Sequence, residues 1–180
     1  MKTLLRAIFL LSISICLWGC PYESPYALDP APRVLIDENL LGKWAAMVKR
    51  PSYEGQTQEA PVKVIIDSIS DTEYRIGITG YIQELKYLGS AATDTFFCTG
   101  YLSQVDNRRF LNLMLKGRVY IAEVLQQPNS MSMMMLAEQF TNKLIRNCSE
   151  LRQAVSIHYR SRAYPVYDEW FVLKNLQKVN

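Results

Sequence analysis

Histidine is almost absent from this chain of 180 residues, which contains only His158. One histidine cannot build the two- or three-histidine sites that hold catalytic zinc. The sequence also lacks a G-x-S-x-G elbow, a phosphate-binding loop and a dinucleotide fingerprint. Its acidic residues are not spaced as an acid and base pair; the scattered ones are Glu84, Asp94, Glu123 and Asp168. We therefore expect a protein that is not an enzyme and that holds no metal or cofactor.

Long hydrophobic runs are absent after the first twenty residues. Residues 4–18 read LLRAIFLLSISICLW, and Lys2 and Arg6 give this segment a short basic beginning. Fifteen helical residues at ~1.5 Å each are too short to cross a hydrocarbon core of ~30 Å. The segment is therefore predicted to be a signal peptide spanning residues 1–19.

The signal segment ends on Leu17-Trp18-Gly19-Cys20, which resembles the lipobox of bacterial lipoproteins. The resemblance implies cleavage after Gly19 and attachment of a diacylglyceryl group, with fatty acyl chains such as palmitate, to the Cys20 thiol. Two or three acyl chains hold a soluble domain stably on a bilayer. Pro21 follows the cysteine in place of Asp, which implies the outer membrane, and we expect its periplasmic face. The alternative is an ordinary signal peptide with an incidental cysteine.

Removal of residues 1–19 changes both the charge and the cysteine content. Lys and Arg fall from 20 to 18 against 17 Asp and Glu, and this near-neutral balance gives no electrostatic case for a nucleic-acid partner. Cys16 leaves with the signal and Cys20 is acylated. Cys98 and Cys148 could then form a disulfide, or each could be a small buried hydrophobic residue.

Residues 20–38 hold the lipidated cysteine and half of the eight prolines. Such a segment is typical of an extended tether, which at ~3.1 Å per residue would hold the domain up to ~50 Å from the membrane. Its apolar residues, Tyr22, Tyr26 and Leu28, could alternatively pack on the domain that follows, over residues 39–180.

That domain is a series of short strand-like runs separated by turns, as in an antiparallel sandwich or barrel. Val62, Val64 and Ile66 alternate with polar residues, so they should share an inward face. Eight candidate strands precede a break in the pattern, at residues 41–48, 62–67, 74–78, 81–88, 95–105, 110–116, 119–126 and 131–136.

A helix follows these candidates. Its buried stripe is predicted from the i, i+3, i+4, i+7 spacing of Leu151, Ala154, Val155 and His158. Ser149 is one candidate N-cap, and Asn147 with Glu150 three residues later is the other. Residues 168–176 return to strand character as a closing strand.

This order, with Gly42-Lys43-Trp44 on the first strand, resembles the lipocalin-like (calycin-like) domains of small bacterial envelope lipoproteins. The resemblance implies a mainly β fold, an eight-stranded antiparallel up-and-down barrel with one C-terminal helix and a closing strand. It also implies that Gly42 lets the chain enter the barrel and that Trp44 plugs its end. In that family an arginine of the last strand commonly packs over the tryptophan; this sequence has no arginine there, and Lys174 is the expected substitute.

The most unusual local feature is the run from Met131 to Met135. In a strand Met131, Met133 and Met135 share one face, which could bind copper(I), line a pliable apolar pocket or fill the core. Inward tyrosines suit a cavity that binds amphiphiles, although eight-stranded barrels can be filled by their own side chains. The candidate ligand-lining residues are Trp44, Tyr74, Ile76, Tyr120, Met131, Met133 and Met135.

Together these patterns predict a membrane-anchored lipoprotein whose barrel binds or carries a small apolar or amphiphilic ligand and catalyses no reaction. The alternative is an envelope scaffold or assembly lipoprotein that binds a protein partner through the barrel surface. His158 is expected to be a packed histidine because it lies on the apolar stripe.

Overall fold

The computed structural model describes residues 22–51, 57–80, 95–141, 143–161 and 167–179. Nine strands, one α-helix and two short 3-10 helices account for its regular structure within these ranges. The predicted signal peptide, Cys20 and the candidate strand at 81–88 lie outside the described residues, as do Glu84 and Asp94.

In chain order the strands are β1 Glu23–Ser24, β2 Gly42–Pro51, β3 Thr57–Ser68, β4 Tyr74–Thr79, β5 Thr95–Val105, β6 Arg108–Leu115, β7 Arg118–Gln127, β8 Ser130–Leu136 and β9 Tyr167–Val179. The helix α1 covers Cys148–Ser161, and the 3-10 helices cover Glu38–Leu40 and Glu138–Phe140.

Strands β2 to β9 form a closed antiparallel barrel of eight strands. Each strand pairs with the next along the chain, and β9 pairs back with β2. The predicted eight-stranded up-and-down barrel with one helix is therefore confirmed. The strand after the helix is itself the eighth barrel strand and not an addition to a barrel already complete.

The two ends of the barrel differ in what borders them. We call the end where β2 begins the base; it carries the Asp106–Asn107 turn between β5 and β6. We call the opposite end the mouth; it carries the Lys116–Gly117 turn between β6 and β7. Gly117 has φ +79°, a left-handed conformation that glycine adopts at no steric cost in a two-residue hairpin.

Alternation of side chains places one apolar face of every barrel strand inward. Val62, Val64 and Ile66 of β3 are all buried in a single interior cluster. Met131, Met133 and Met135 of β8 enter the same cluster. The inward faces predicted from the period of two are confirmed.

A second apolar cluster lies outside the barrel wall, beneath α1. All four residues of the predicted stripe are buried, namely Leu151, Ala154, Val155 and His158. The backbone N–H of Glu150 donates to Asn147 Oδ1 at 2.9 Å, and the N–H of Arg146 donates to Glu150 Oε2 at 2.9 Å. Asn147 with Glu150 thus provides the cap, and the alternative cap at Ser149 is not used.

We call the segment from Tyr22 to Leu41 the strap; it packs on the outside of the barrel and then crosses the base, where Leu40 joins the interior cluster. Strand β1 pairs with β7 at Val119 and Tyr120, and Leu28 is fully buried in the outer cluster. The sequence allows either a free tether or a segment whose apolar residues pack on the domain, and from Tyr22 onward the segment packs on the domain. A proline-rich composition limits helix and sheet, but it does not prevent packing through side chains.

Within the described ranges, no helix has both the length and the apolar character needed to span a membrane.

Candidate functional site

The barrel interior brings together every residue predicted to line a ligand site. All of them belong to the one interior cluster and are between 0% and 7% exposed: Trp44, Tyr74, Ile76, Tyr120, Met131, Met133 and Met135. Their shared location follows from side-chain alternation on several different strands. Contact with a ligand stays a prediction, because these side chains pack on one another.

The base of the barrel is filled by Trp44, whose side chain is fully buried. Its indole N–H donates to the carbonyl of Leu40 at 2.9 Å, so the 3-10 helix and the first barrel strand are joined at this point. Gly42 has φ +116°, and a Cβ there would lie 3.2 Å from Lys178 Cε. Glycine is therefore needed where the chain turns into the barrel.

The cation over Trp44 comes from Lys178, whose Nζ lies 5.3 Å from the ring centroid. The expectation that Lys174 takes this position is wrong. Trp44 and Lys178 are directly paired across β2 and β9. Lys174 lies beyond Asn175, where φ is +56° and the strand is irregular.

A polar network joins the strap to the base. Arg109 donates to Asp37 Oδ2 and, at 3.0 Å, to Gln126 Oε1. The N–H of Asp37 donates to the Tyr74 hydroxyl at 2.5 Å. Burial opposes ionisation of Asp37, but hydrogen bonds from Arg109 and Asn39 outweigh it and hold the pKa below its usual range. The network therefore fixes the strap where it closes the base.

The backbone pairing that closes the barrel between β2 and β9 is short. Their described pairing covers only three residue pairs, Lys43–Ala45 with Gln177–Val179, all near the base. Towards the mouth the two strands flank a surface groove of about 450 Å³. Its lining comes from both strands: Met47, Val48, Lys49, Val172, Lys174 and Asn175. We call this the seam groove.

The seam groove lies on the outer surface, and one of its lining residues belongs to the interior cluster. Val48 is 4% exposed and belongs to that cluster, whereas Met47 is 59% exposed on the other face of the same strand. Lys49 and Lys174 place two ammonium groups at the groove. Lys49 also lies 4.0 Å from Glu59 in an exposed ion pair. The sequence could not indicate this site, since it depends on where two strands stop pairing.

Glu123 is fully buried on the outer side of β7, although the sequence marks it only as one of several scattered acids. Arg108 Nη1 lies 2.6 Å from Glu123 Oε1. The hydroxyls of Tyr159 and Tyr167 both donate to Oε2. The Arg108 guanidinium also lies 4.4 Å from the Tyr159 ring centroid. This network joins α1, β6, β7 and β9.

The Glu123 network has a structural role, because its hydrogen bonds and ion pair hold α1 and three barrel strands together. Burial, followed by the hydrogen bond to Glu123, raises the pKa of Tyr167 to about 12, and burial also raises the pKa of Tyr159. Both phenols therefore stay protonated and keep donating to the carboxylate. Arg108 balances the buried negative charge, which would otherwise be costly.

His158 lies on the buried stripe of α1, as predicted. Its ring is 6.2 Å from Phe140 and 6.3 Å from Tyr159, both edge-on. Nε2 has no hydrogen-bond partner among the described residues. The surroundings are those of a packed aromatic residue.

The two candidate disulfide cysteines lie on opposite sides of the barrel wall and are both free. Cys98 is buried in the interior cluster, whereas Cys148 is the first residue of α1 on the outside. Cys98 therefore fits the alternative to a disulfide, in which the cysteine is a small buried hydrophobic residue. Burial raises the pKa of the Cys98 thiol to about 12.

In the described ranges no cluster of three or more His, Cys, Asp or Glu side chains is placed to hold a metal ion. Comparison of the chain with protein-family models, with curated proteins and with solved structures found no match in any of the three.

Proposed function

We propose that this protein is a membrane-anchored lipoprotein whose barrel binds a small amphiphilic ligand, without catalysis. The observation that carries the proposal is the seam groove, which lies between β2 and β9 and includes Val48 of the interior cluster in its lining. Pockets of ~300–1,000 Å³ with apolar walls and a few polar groups are typical of small-molecule sites, and this groove holds about 450 Å³.

The groove favours an amphiphile with a negatively charged head. Met47, Val48 and Val172 offer an apolar surface for an acyl chain. Lys49 and Lys174 are placed to meet a carboxylate or phosphate. Exposed lysines contribute mainly orientation, since an exposed ion pair is worth at most ~1 kcal/mol.

We propose that an acyl chain bound in the seam groove would contact the predicted ligand-lining residues of the interior once it passes Val48. Methionine adapts to irregular shapes, so Met131, Met133 and Met135 can shift to admit a chain. In the absence of ligand the same residues fill the core.

Binding is tested with residues 21–180 and a fluorescent fatty acid displaced by palmitate. We expect Lys174→Glu to weaken palmitate binding roughly fivefold, because it replaces an attractive charge by a repulsive one. Met133→Lys should weaken it further by placing a charge in the interior. The control is Lys63→Glu, an exposed lysine on β3 outside the groove.

Two results would contradict the ligand proposal. One is the absence of displaceable binding, and the other is an equal effect of Lys174→Glu and Lys63→Glu. Native mass spectrometry of the same domain from envelope extract gives an independent readout, in which a co-purifying amphiphile is expected.

We also propose that Cys20 carries the membrane anchor, at the outer membrane and on its periplasmic face. The lipobox-like end of the signal segment supports this. Cys20→Ser should abolish incorporation of labelled palmitate and move the protein from the detergent phase to the aqueous phase. Persistent labelling would overturn the assignment.

The alternative is an envelope scaffold that binds a protein through the barrel surface, and one observation favours it. Phe97 of β5 and Met114 of β6 are 57% and 42% exposed, and the register makes them diagonal neighbours on the outer face. Contiguous exposed apolar patches mark contact surfaces, and this pair is the apolar contact that we propose for a partner. Ligand-free protein that retains a polypeptide, lost on Phe97→Ser, would favour this function over carriage.

A further inference from the structure

We propose that residues 143–146, Lys-Leu-Ile-Arg, form a second membrane contact that lies against the phospholipid surface beside the lipid anchor. This inference rests on the proposed acylation of Cys20. It goes further in naming which face of the barrel meets the bilayer.

The first described residue of the strap is fixed to the barrel wall. The N–H of Tyr22 donates to the carbonyl of Leu136, the last residue of β8, at 2.8 Å. The Tyr22 ring lies edge-on to Phe140 with centroids 4.5 Å apart. The next two residues, Glu23 and Ser24, pair with β7. The strap is therefore attached to the wall at its first described residue.

Covalent geometry then limits how far the anchor can be from the wall. Cys20 lies two positions before Tyr22, and a fully extended chain spans at most ~3.6 Å per residue, or about 7 Å. An acylated Cys20 therefore holds this side of the barrel close to the lipid headgroups. A separation of ~50 Å, as expected for a free tether of the whole segment, is not compatible with the packed strap.

The segment at 143–146 begins three residues after Phe140, the aromatic partner of Tyr22. It presents Leu144 with 77% of its surface exposed, and Lys143 and Arg146 on either side are exposed too. Four residues from Phe140 to Leu144 span at most ~14 Å. Leu144 therefore lies close to the point at which the anchor would hold the barrel.

The side chains of this segment match a lipid surface. An exposed leucine enters the boundary between headgroups and acyl chains, while flanking bases bind phosphate groups. A groove of about 440 Å³ runs between the segment and α1, where Ile157 is 47% exposed. The same face therefore offers apolar surface and, with Lys143 and Arg146 against Glu150, one net positive charge beside the anchor.

The test uses the full acylated lipoprotein in vesicles of phosphatidylethanolamine and phosphatidylglycerol, with Cys98 and Cys148 replaced by serine. An environment-sensitive fluorophore is attached to Leu144→Cys. The matched control is Leu35→Cys, since Leu35 is 70% exposed. It precedes Ile36, whose N–H donates to Asp71 in the turn between β3 and β4 at the base.

We expect spin-labelled phospholipid to quench the fluorophore at position 144 and not at position 35. Equal quenching at both positions, or none at 144, would overturn the inference. A fluorophore at 144 that is shielded in native envelopes but unquenched by spin-labelled lipid would overturn it as well, since a protein would then cover the segment.

Flotation separates this outcome from failure of the anchor itself. Protein that does not float with the vesicles contradicts both proposals, whereas floating protein with a water-exposed position 144 contradicts only the second contact. Lys143→Gln or Arg146→Gln should lower the membrane-contact equilibrium roughly fivefold each, corresponding to ~1 kcal/mol per base near an anionic surface. Lys63→Gln on β3 is the charge control.

Discussion

Trp44 shows at the residue scale how one side chain closes the base of the barrel. It is fully buried and donates to Leu40, whereas Lys178 only covers its ring from a largely exposed position. We expect Trp44→Ala to lower the free energy of unfolding by about 3–5 kcal/mol, because it leaves a large cavity. Lys178→Ala should cost less than about 1 kcal/mol. Denaturant unfolding of both variants measures the difference, and equal losses would contradict the plug.

Tyr167 gives a second residue-scale prediction, at alkaline pH. Its folded-state pKa is raised from 10 to about 12 by burial and by the hydrogen bond to Glu123. The folded protein thus holds a proton that the unfolded chain loses near pH 10. This contribution to stability is complete below pH 10 and is lost as the pH rises to about 12.

Thermal unfolding across this pH range tests the sign of the effect. Tyr167→Phe should be less stable at neutral pH by about 1–2 kcal/mol, because Glu123 loses one donor. Its stability should then fall less steeply between pH 10 and 12 than that of the wild type. Tyr26→Phe on the strap is the control. If the stability of Tyr167→Phe falls more steeply above pH 10 than that of the wild type, the predicted link between Tyr167 ionisation and stability is wrong.

Individual inward positions can be predicted from the sequence because strand alternation is a local property. Tyr74, Ile76 and Met133 face inward as predicted for that reason. The role of Lys178 escapes such a prediction because the irregularity at Asn175 shifts the alternation, so that Leu173 and Leu176 both face inward. A bulge of this kind depends on pairing with neighbouring strands, which a single sequence does not reveal.

At the scale of elements, one buried asparagine is among the residues that hold the strap. Asn112 is fully buried on the outer side of β6 and accepts from the N–H of Leu28 at 2.8 Å. Its amide group donates to the Tyr101 carbonyl at 3.1 Å and to Ser103 Oγ at 2.8 Å. Nothing in the spacing of Asn112 marks it in the sequence, because its three partners come from two other elements.

Asn112→Ala should release the strap from the wall. It leaves the buried N–H of Leu28 without its acceptor, and we expect a loss of about 2 kcal/mol or more in the free energy of unfolding. Hydrogen exchange at residues 22–29 should accelerate more than exchange in β3 and β4. Asn129→Ala, in an exposed turn, should change stability by less than about 0.5 kcal/mol. Unchanged exchange in the strap would contradict this role of Asn112.

The helix can be predicted closely because its stripe and its cap are both local signals. Asn147 and Glu150 lie three residues apart, and Leu151 opens the buried stripe. The strap and the seam groove cannot be predicted in the same way. Both depend on contacts between segments far apart in the chain, as when Asp29 accepts from Tyr101 and Arg152.

At the scale of the whole molecule, one barrel wall separates two apolar clusters. The interior cluster contains Cys98, and the outer cluster lies beneath α1, which begins at Cys148. Reaction of the Cys98 thiol with a maleimide therefore requires the barrel to open, whereas Cys148 is partly exposed in the folded state. The labelling rate of Cys98 therefore measures opening of the barrel, and the labelling rate of Cys148 serves as the internal reference.

We expect Cys98 in the folded domain to react at least about 10³-fold more slowly than Cys148, since opening costs about 5 kcal/mol or more in typical domains. A ligand that binds only the folded barrel stabilises it by RT ln(1 + [L]/Kd). Palmitate should therefore slow labelling of Cys98 in proportion to its concentration above Kd and leave Cys148 unchanged. If both thiols respond equally, the ligand acts on the reagent or on the whole surface, and binding at the seam groove is contradicted.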